Sequence, residues 1–424
     1  MRILIRNAYI INPASLHHAT SKDVLIEDGI ITKIDASIDV LEVDELVEGE
    51  GIYVSAGWVD LFATIGDPGL EHRETITSGL DAASNGGFTK VVISPDVLPT
   101  ADSKSGIEYL LKLAAGHIVD ALPLGAITKK LHGKELAEMY DMVNSGAVGV
   151  SNAKHTVADA KVMQVAMQYG NGLNVPFYSF TEDERLAHGG QMHEGVVSTM
   201  LGLKGIPALA EELAVTRDLY LARYTESPIH FSHITTAGAV ALIREAKAQG
   251  MRVTASVPAH HLALLDESIQ DFDSNYKVQP PLRDVTHVNA LWEGLKDGTL
   301  DAIISDHEPL ESEVKTMEFG QAKSGITALE TLFPVLLKAS AGRIPLEVFI
   351  AKLTTGPRQV LGLKQPVIAE NEPAELTLFA PEMVWNYNET TASSLSSNTP
   401  FWNTEMVGQA FAVINHGAIA FSKA

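Results

Sequence analysis

The chain is 424 residues long, with 46% hydrophobic and 20% charged side chains, enough for one large α/β barrel plus a smaller appendage or for two to three average globular domains. Its 53 acidic side chains against 31 basic ones leave a formal charge of −22, a field that repels nucleic acid and anionic membrane surfaces and argues against both as partners. The absence of cysteine excludes disulfides, thiolate nucleophiles and Cys-ligated zinc or iron–sulfur centres.

No apolar run reaches the length needed to span a membrane. The opening MRILIRNAYIINPAS alternates like a strand and lacks the hydrophobic block and small-residue cleavage site of a signal peptide. A cytoplasmic protein is the default expectation. The acidity has a second consequence: binding an anionic substrate would need a local positive site, a metal or an arginine.

Residues 1–53 read as a run of short strands. The segment 23–34 predicts a hairpin around Glu27-Asp28-Gly29, a turn that favours Asp-Gly. Segments 374–379 and 407–421 have the same texture, the latter turning at Asn415-His416-Gly417. The two chain ends, 1–53 and 365–424, are therefore expected to build one small β domain, with a barrel domain over 54–364 inserted between them. The stretch 54–69, VSAGWVDLFATIGDPG, reads as a buried strand entering a glycine-bounded turn, with a helix beginning near 71–74.

From there the pattern is strand, short loop, amphipathic helix, repeated. Strands are predicted over 58–64, 90–94, 120–127, 148–151, 175–181, 228–234, 252–257 and 302–306. Predicted helices between them include 107–115, 134–143, 157–169, 208–222, 237–249 and 327–341. Short continuous apolar runs suit a parallel sheet covered on both faces, and eight of them predict an α/β fold of the (β/α)8 TIM-barrel type, whose sites lie at the carboxyl ends of the strands. The Ser/Thr-rich stretch 390–398 reads as a surface loop before Thr399-Pro400-Phe401-Trp402.

At 54–69 the sequence resembles the dihydroorotase family of the amidohydrolase superfamily, whose signature is roughly PGFxDxHxHxRxPG. Gly57, Asp60, Pro68 and Gly69 keep that frame. Further frame residues are Gly86-Gly87-Phe88-Thr89, Glu194-Gly195, Pro280-Pro281-Leu282-Arg283, segment 325–334 and Asn398-Thr399-Pro400-Phe401-Trp402, so the resemblance runs nearly the whole length. It implies an amidohydrolase-type barrel with a small β-sandwich built from both ends. It also implies metals that polarise an amide carbonyl and lower the pKa of bound water.

The frame is kept where the chemistry is not. The resemblance assigns the two first-strand metal histidines to Phe62 and Thr64, the fourth-strand acid to Asn152 or Ala153, and the fifth-strand histidine to Phe180. Some relatives bridge their metals with a carboxylated lysine; Lys154 is close to that strand end but not at the matching position. His233 on the sixth strand and Asp306 on the eighth survive, Asp306 being both ligand and proton shuttle in active relatives. One histidine and one aspartate are a thin site even for a single zinc. The simpler reading of the two is a buried hydrogen bond that satisfies both groups. The substrate-carboxylate positions map to Gly66, Asp96 and Leu310, and a further asparagine position to Gln279. Asp96 would repel a carboxylate. His155, His188, His193, His230, His260 and His261 could form a relocated metal site, although with 15 histidines some clustering is ordinary.

The expectation is a noncatalytic dihydroorotase-like protein of pyrimidine biosynthesis, with no cofactor, acting as a structural or regulatory partner. By resemblance that partner is aspartate carbamoyltransferase, and a homo-oligomer is expected. The alternative is an active metal-dependent cyclic-amide hydrolase with zinc in an altered site. It would convert dihydroorotate and water to N-carbamoyl-aspartate, or act like an allantoinase or hydantoinase. A third reading is a mouth lined by Phe62, Phe180 and Leu310 that holds an apolar, uncharged ligand without turnover.

Overall fold

The barrel strands of the computed structural model, which describes residues 1–40 and 42–423, are Trp58–Ala63, Phe88–Ile93, Asp120–Ala126, Gly149–Ser151, Phe177–Phe180, Ile229–Ser232, Val253–Pro258 and Ala302–Ile304. They pair in chain order, each parallel to the next. Closure runs through residues just past the eighth strand: Ala63 bridges His307 in parallel, and the Thr64 amide donates to the His307 carbonyl at 2.7 Å. Asp60 reinforces the same seam by accepting from the Ser305 amide at 2.8 Å and its hydroxyl at 2.5 Å. Its kept place in the signature is thus explained by a structural duty.

Both chain ends share a second sheet. Tyr53–Ala56 lies antiparallel to Leu376–Tyr387, with Tyr53 opposite Phe379 and Ala56 opposite Leu376. That pairing joins the N-terminal strands Arg2–Ile11, Ser21–Glu27 and Ile30–Asp35 to Thr404–Asn415 and Ala418–Phe421. Ile3, Ile10 and Val24 share one core with Leu376, Ala412 and Ile414, the core of the β-sandwich. The hairpins turn at Asp28-Gly29 and His416-Gly417, all four residues at positive φ. Trp58 sits at the seam with the barrel, its ring 5.0 Å from Phe333 and 5.5 Å from Phe379 between centroids. The approach is close enough that a Cβ on Gly87, at φ +90°, would stand 2.5 Å from that of Ala410.

Three local expectations give way to side-chain and backbone hydrogen bonds. The first barrel helix begins at Ile76, not near 71–74, because Thr75 caps it and exchanges hydrogen bonds with Ser78 in a capping box. The helix expected over 134–143 is reduced to Met139–Asn144, because Leu136 bridges Thr128 and the Glu135 carbonyl accepts from the Lys129 amide. The stretch 390–398 is a surface loop only in part, with Thr390, Leu395 and Ser397 exposed and the rest tied down. Glu330 accepts from the Ser393 amide at 2.7 Å, Glu74 accepts from the Ser394 hydroxyl at 2.5 Å, and Asn398 Oδ1 accepts from the Leu310 amide at 2.9 Å. It is a strap tied into the barrel.

Candidate functional site

The carboxyl ends of the fourth, sixth and eighth strands converge on one carboxylate. Asp306 Oδ1 accepts from His233 Nε2 at 2.9 Å and forms an ion pair with Lys154 Nζ at 2.6 Å. Lys154 also donates to Glu308 Oε2 at 2.9 Å. His260 Nε2 stands 3.7 Å from Asp306 Oδ2. Ala153, His233 and Asp306 all hold φ between +51° and +59°, a conformation that costs a non-glycine residue on the order of 1–3 kcal/mol where the surroundings impose it. These are strand ends to which the resemblance assigns metal ligands.

Electrostatics at this point are settled by the lysine. Burial would raise the Asp306 carboxyl, but the Lys154 ammonium and then His233 outweigh it and hold the group well below the usual carboxylate range. Burial opposes the Lys154 charge, yet Asp306 and Glu308 keep the amine well above its ordinary value. Burial lowers His233 despite Asp306, and its Nε2 is the nitrogen bonded to the carboxylate. The arrangement is a charged pair flanked by two buried histidines, His233 and His260.

The remaining family positions hold other side chains with other partners. Phe62 presents its ring edge-on to His233 at 4.6 Å between centroids, and Phe180 does so at 5.6 Å. Asn152 turns back into its own loop, where Oδ1 accepts from the Thr128 hydroxyl at 2.7 Å and Nδ2 donates to the Leu131 and His155 carbonyls. Gly66 could not carry a side chain without movement: a Cβ there would stand 2.4 Å from the Leu70 carbonyl oxygen. Asp96 faces His155 at 3.5 Å, and Gln279 donates to Glu182 at 2.9 Å. Leu310 is buried.

The donor set here is His233 and Asp306 with His260 beside them, and Asp306 Oδ2, His233 Nδ1 and both His260 nitrogens are buried without a hydrogen-bond partner. The surviving carboxylate already carries an ammonium, two aromatic rings pack against the surviving histidine, and a catalytic zinc needs about three protein ligands. Among the described residues, the group of three that converges to ligand distance lies elsewhere, at His193, Asp284 and His287. There the Nδ1 atoms are already acceptors, His193 from Arg283 at 3.2 Å and His287 from the Ala237 amide at 2.9 Å. Each Nε2 therefore carries the proton in the neutral ring, and burial together with the Arg283 charge lowers His193 to about 4. That trio serves packing and hydrogen bonding. His230, bonded to Thr254 and Ser256, and His261, bonded to the Pro280 and Pro281 carbonyls, are likewise internal.

Above the Lys154–Asp306 pair the mouth opens into a cavity of about 530 Å³ whose walls include Thr64, Lys154, Glu182, Lys277, Gln279 and Glu308. Phe62, Phe180 and Leu310 do not line it. They are buried, the two aromatics against His233, so the expected apolar lining is replaced by a polar one. Sequence reasoning placed Lys154 near the fourth strand end but missed its pairing with Asp306, to which its stem carries the ammonium across to the eighth strand end. The available signal was a lysine one or two residues beyond a lost acidic ligand.

Comparison with known proteins places this geometry in context. Residues 51–239 match the family model described as dihydro-orotase-like. The chain is 39% identical over 425 residues to the dihydroorotase of Syntrophotalea carbinolica, covering 99% of each. It is 40% identical to that of Pelotomaculum thermopropionicum, covering 99% of this chain and 98% of the relative. Among solved structures, the L-hydantoinase of Arthrobacter aurescens superposes with a TM-score of 0.85 at 20% identity, covering 100% of this chain and 96% of that one. The dihydropyrimidinase of Brevibacillus agri does so at 0.81 and 21%, covering 100% and 95%. At that identity the structural likeness speaks for the fold.

Proposed function

The chain belongs to the dihydroorotase family, and from that premise we propose that it is a noncatalytic member, acting as a structural or regulatory partner in pyrimidine biosynthesis. One observation carries the reading: the Lys154 ammonium lies 2.6 Å from Asp306. A cation belonging to the chain itself balances the carboxylate that active relatives use as ligand and proton shuttle. With Asp306 held ionised and tied to Lys154, it is a poor base for activating water. The rings of Phe62 and Phe180 against His233 support the same conclusion.

By family resemblance the partner is aspartate carbamoyltransferase. The exterior offers material for an interface: Val196, Met200, Tyr220 and Tyr224, on the helices Val196–Leu201 and Leu209–Thr225, are each at least 70% exposed. Exposed apolar and aromatic side chains of this kind suit a protein contact, either with that transferase or between copies in a homo-oligomer. A cytoplasmic location goes with this role; no helix among the described residues is long and apolar enough to cross a membrane. Metal analysis and dihydroorotate turnover on one purified preparation test the noncatalytic reading. Sedimentation with and without the transferase tests the partner: a joint species at micromolar concentration supports it, and independent migration counts against it.

The second reading, an active zinc-dependent cyclic-amide hydrolase, is favoured by one finding: relatives 36–40% identical over the full length carry the name dihydroorotase. Stoichiometric zinc with turnover in the same assay would select it.

A further inference from the structure

Resting on the noncatalytic reading, we propose that the barrel mouth binds, without turnover, a small organic cation bearing an ammonium or guanidinium group, seated between Glu182 and Glu308. The cavity above the Lys154–Asp306 pair, about 530 Å³, is of metabolite size. Its wall carries an unanswered negative charge.

Glu182 is only 7% exposed. Its Oε1 accepts from Gln279 at 2.9 Å, its Oε2 has no partner, and no cation lies within ion-pair distance of it among the described residues. A carboxylate has about four acceptor sites, and burial without a cationic partner is costly. Burial accordingly raises this group, with the Gln279 hydrogen bond and the more distant Arg283 charge only partly offsetting it. On the same wall Glu308 gives Oε2 to Lys154 and leaves Oε1 unpartnered.

The donors of the wall's two lysines are engaged, those of Lys277 by uncharged acceptors. Lys277 Nζ donates to Gln191 Oε1 at 2.7 Å and to the Phe319 and Gly320 carbonyls at 2.6 and 3.4 Å. Lys154 is held between Asp306 and Glu308. Asp96, on the rim, is paired with His155 at 3.5 Å. Among the described residues a ligand carboxylate would meet no lysine donor left free on this wall, and an arginine at position 66 would collide with the Leu70 carbonyl. A ligand cation would meet an unpaired, desolvated carboxylate, where charge-assisted hydrogen bonds are strongest. The site therefore selects the opposite charge to dihydroorotate.

The test is calorimetric titration of the full chain, at constant ionic strength, with agmatine and putrescine as cationic probes and with dihydroorotate and N-carbamoyl-aspartate as anionic ones. Saturable binding of a cationic probe, weakened at least tenfold in Glu182→Gln, is expected, with no saturation by either anion. Glu308→Gln is the second variant, measured alongside in case the first folds poorly, and the same weakening is expected. No saturable cation binding, binding unaffected by either variant, or preferential anion binding overturns the proposal. Zinc and turnover in the same preparation would instead overturn the noncatalytic reading, so the two failures are distinguishable.

Discussion

Lys154 Nζ and Asp306 Oδ1 meet at 2.6 Å, with 11% and 1% of their side chains exposed. Two strand ends far apart in the chain thereby exchange a buried charge pair in the region where active relatives hold metal. Removing one partner of such a pair is more damaging than removing both, because it strands the other charge.

Lys154→Met is expected to destabilise the fold by roughly 3–5 kcal/mol, the usual cost of orphaning a buried charge. Adding Asp306→Asn should recover a substantial part of that loss. Urea unfolding of the two single variants and the double variant checks this. Additive losses would mean that the two groups do not act as a pair.

Asp60 predicts a pH dependence. Burial, opposed by the Ser305 hydrogen bonds, raises its carboxyl to about 7, above the unfolded value of about 3.9. Between those values the folded state keeps a proton that the unfolded state has released. Stability from this group therefore falls as pH rises through the window, and is greatest near its acidic end. The stability difference between the parent and Asp60→Asn should change in that direction between pH 5 and pH 7.5, by at most about 1.4 kcal/mol per pH unit. A difference independent of pH would contradict the assignment.

Glu330 anchors the strap over 390–398. It accepts from Asn85 at 2.5 Å, Tyr387 at 3.0 Å and the Ser393 amide at 2.7 Å. Glu330→Ala should cost roughly 1–3 kcal/mol for each donor left buried without a partner. It should also open 390–398 to limited proteolysis, mapped by mass spectrometry of the fragments. A variant as resistant as the parent would show that the strap is held by other contacts.

Metal binding should not return by restoring one ligand. Phe62→His leaves Lys154 on Asp306, and its zinc content should stay at background. Phe62→His, Thr64→His, Ala153→Asp, Phe180→His and Lys154→Gly together should bind about one zinc or more per chain, by elemental analysis. Dihydroorotate turnover should remain absent even then, because Gly66 cannot accept a side chain without displacing Leu70. Recovery of turnover by a single histidine would refute the role given to Lys154.

The barrel was legible because a strand buried on both faces must be a continuous apolar run, and each such run became a strand within a few residues. The hairpin turns were legible because Asp-Gly and His-Gly sit where positive φ is needed. The strap was partly misread because Ser and Thr suggest solvent, whereas here their amides and hydroxyls satisfy buried Glu74 and Glu330. The residues now standing at the family's ligand positions, Phe62, Thr64, Asn152, Ala153 and Phe180, were legible from the sequence. The pairing of Lys154 with Asp306 was not, because one residue's offset along a strand end says nothing about where a flexible four-carbon stem will place its charge. The polar lining was missed for a related reason: Phe62 and Phe180 turn inward onto His233, leaving the wall to Glu182, Gln279 and Glu308.

The central claim is that a lysine stands where a metal would, and the most direct measurement is anomalous diffraction at the zinc edge from crystals grown with excess zinc. The account predicts continuous density from the Lys154 stem to an ammonium beside Asp306, and no anomalous peak at a zinc–ligand distance of about 2.0–2.2 Å from Asp306 or His233. An anomalous peak bridging His233 and Asp306, with Lys154 displaced from the pair, would contradict it.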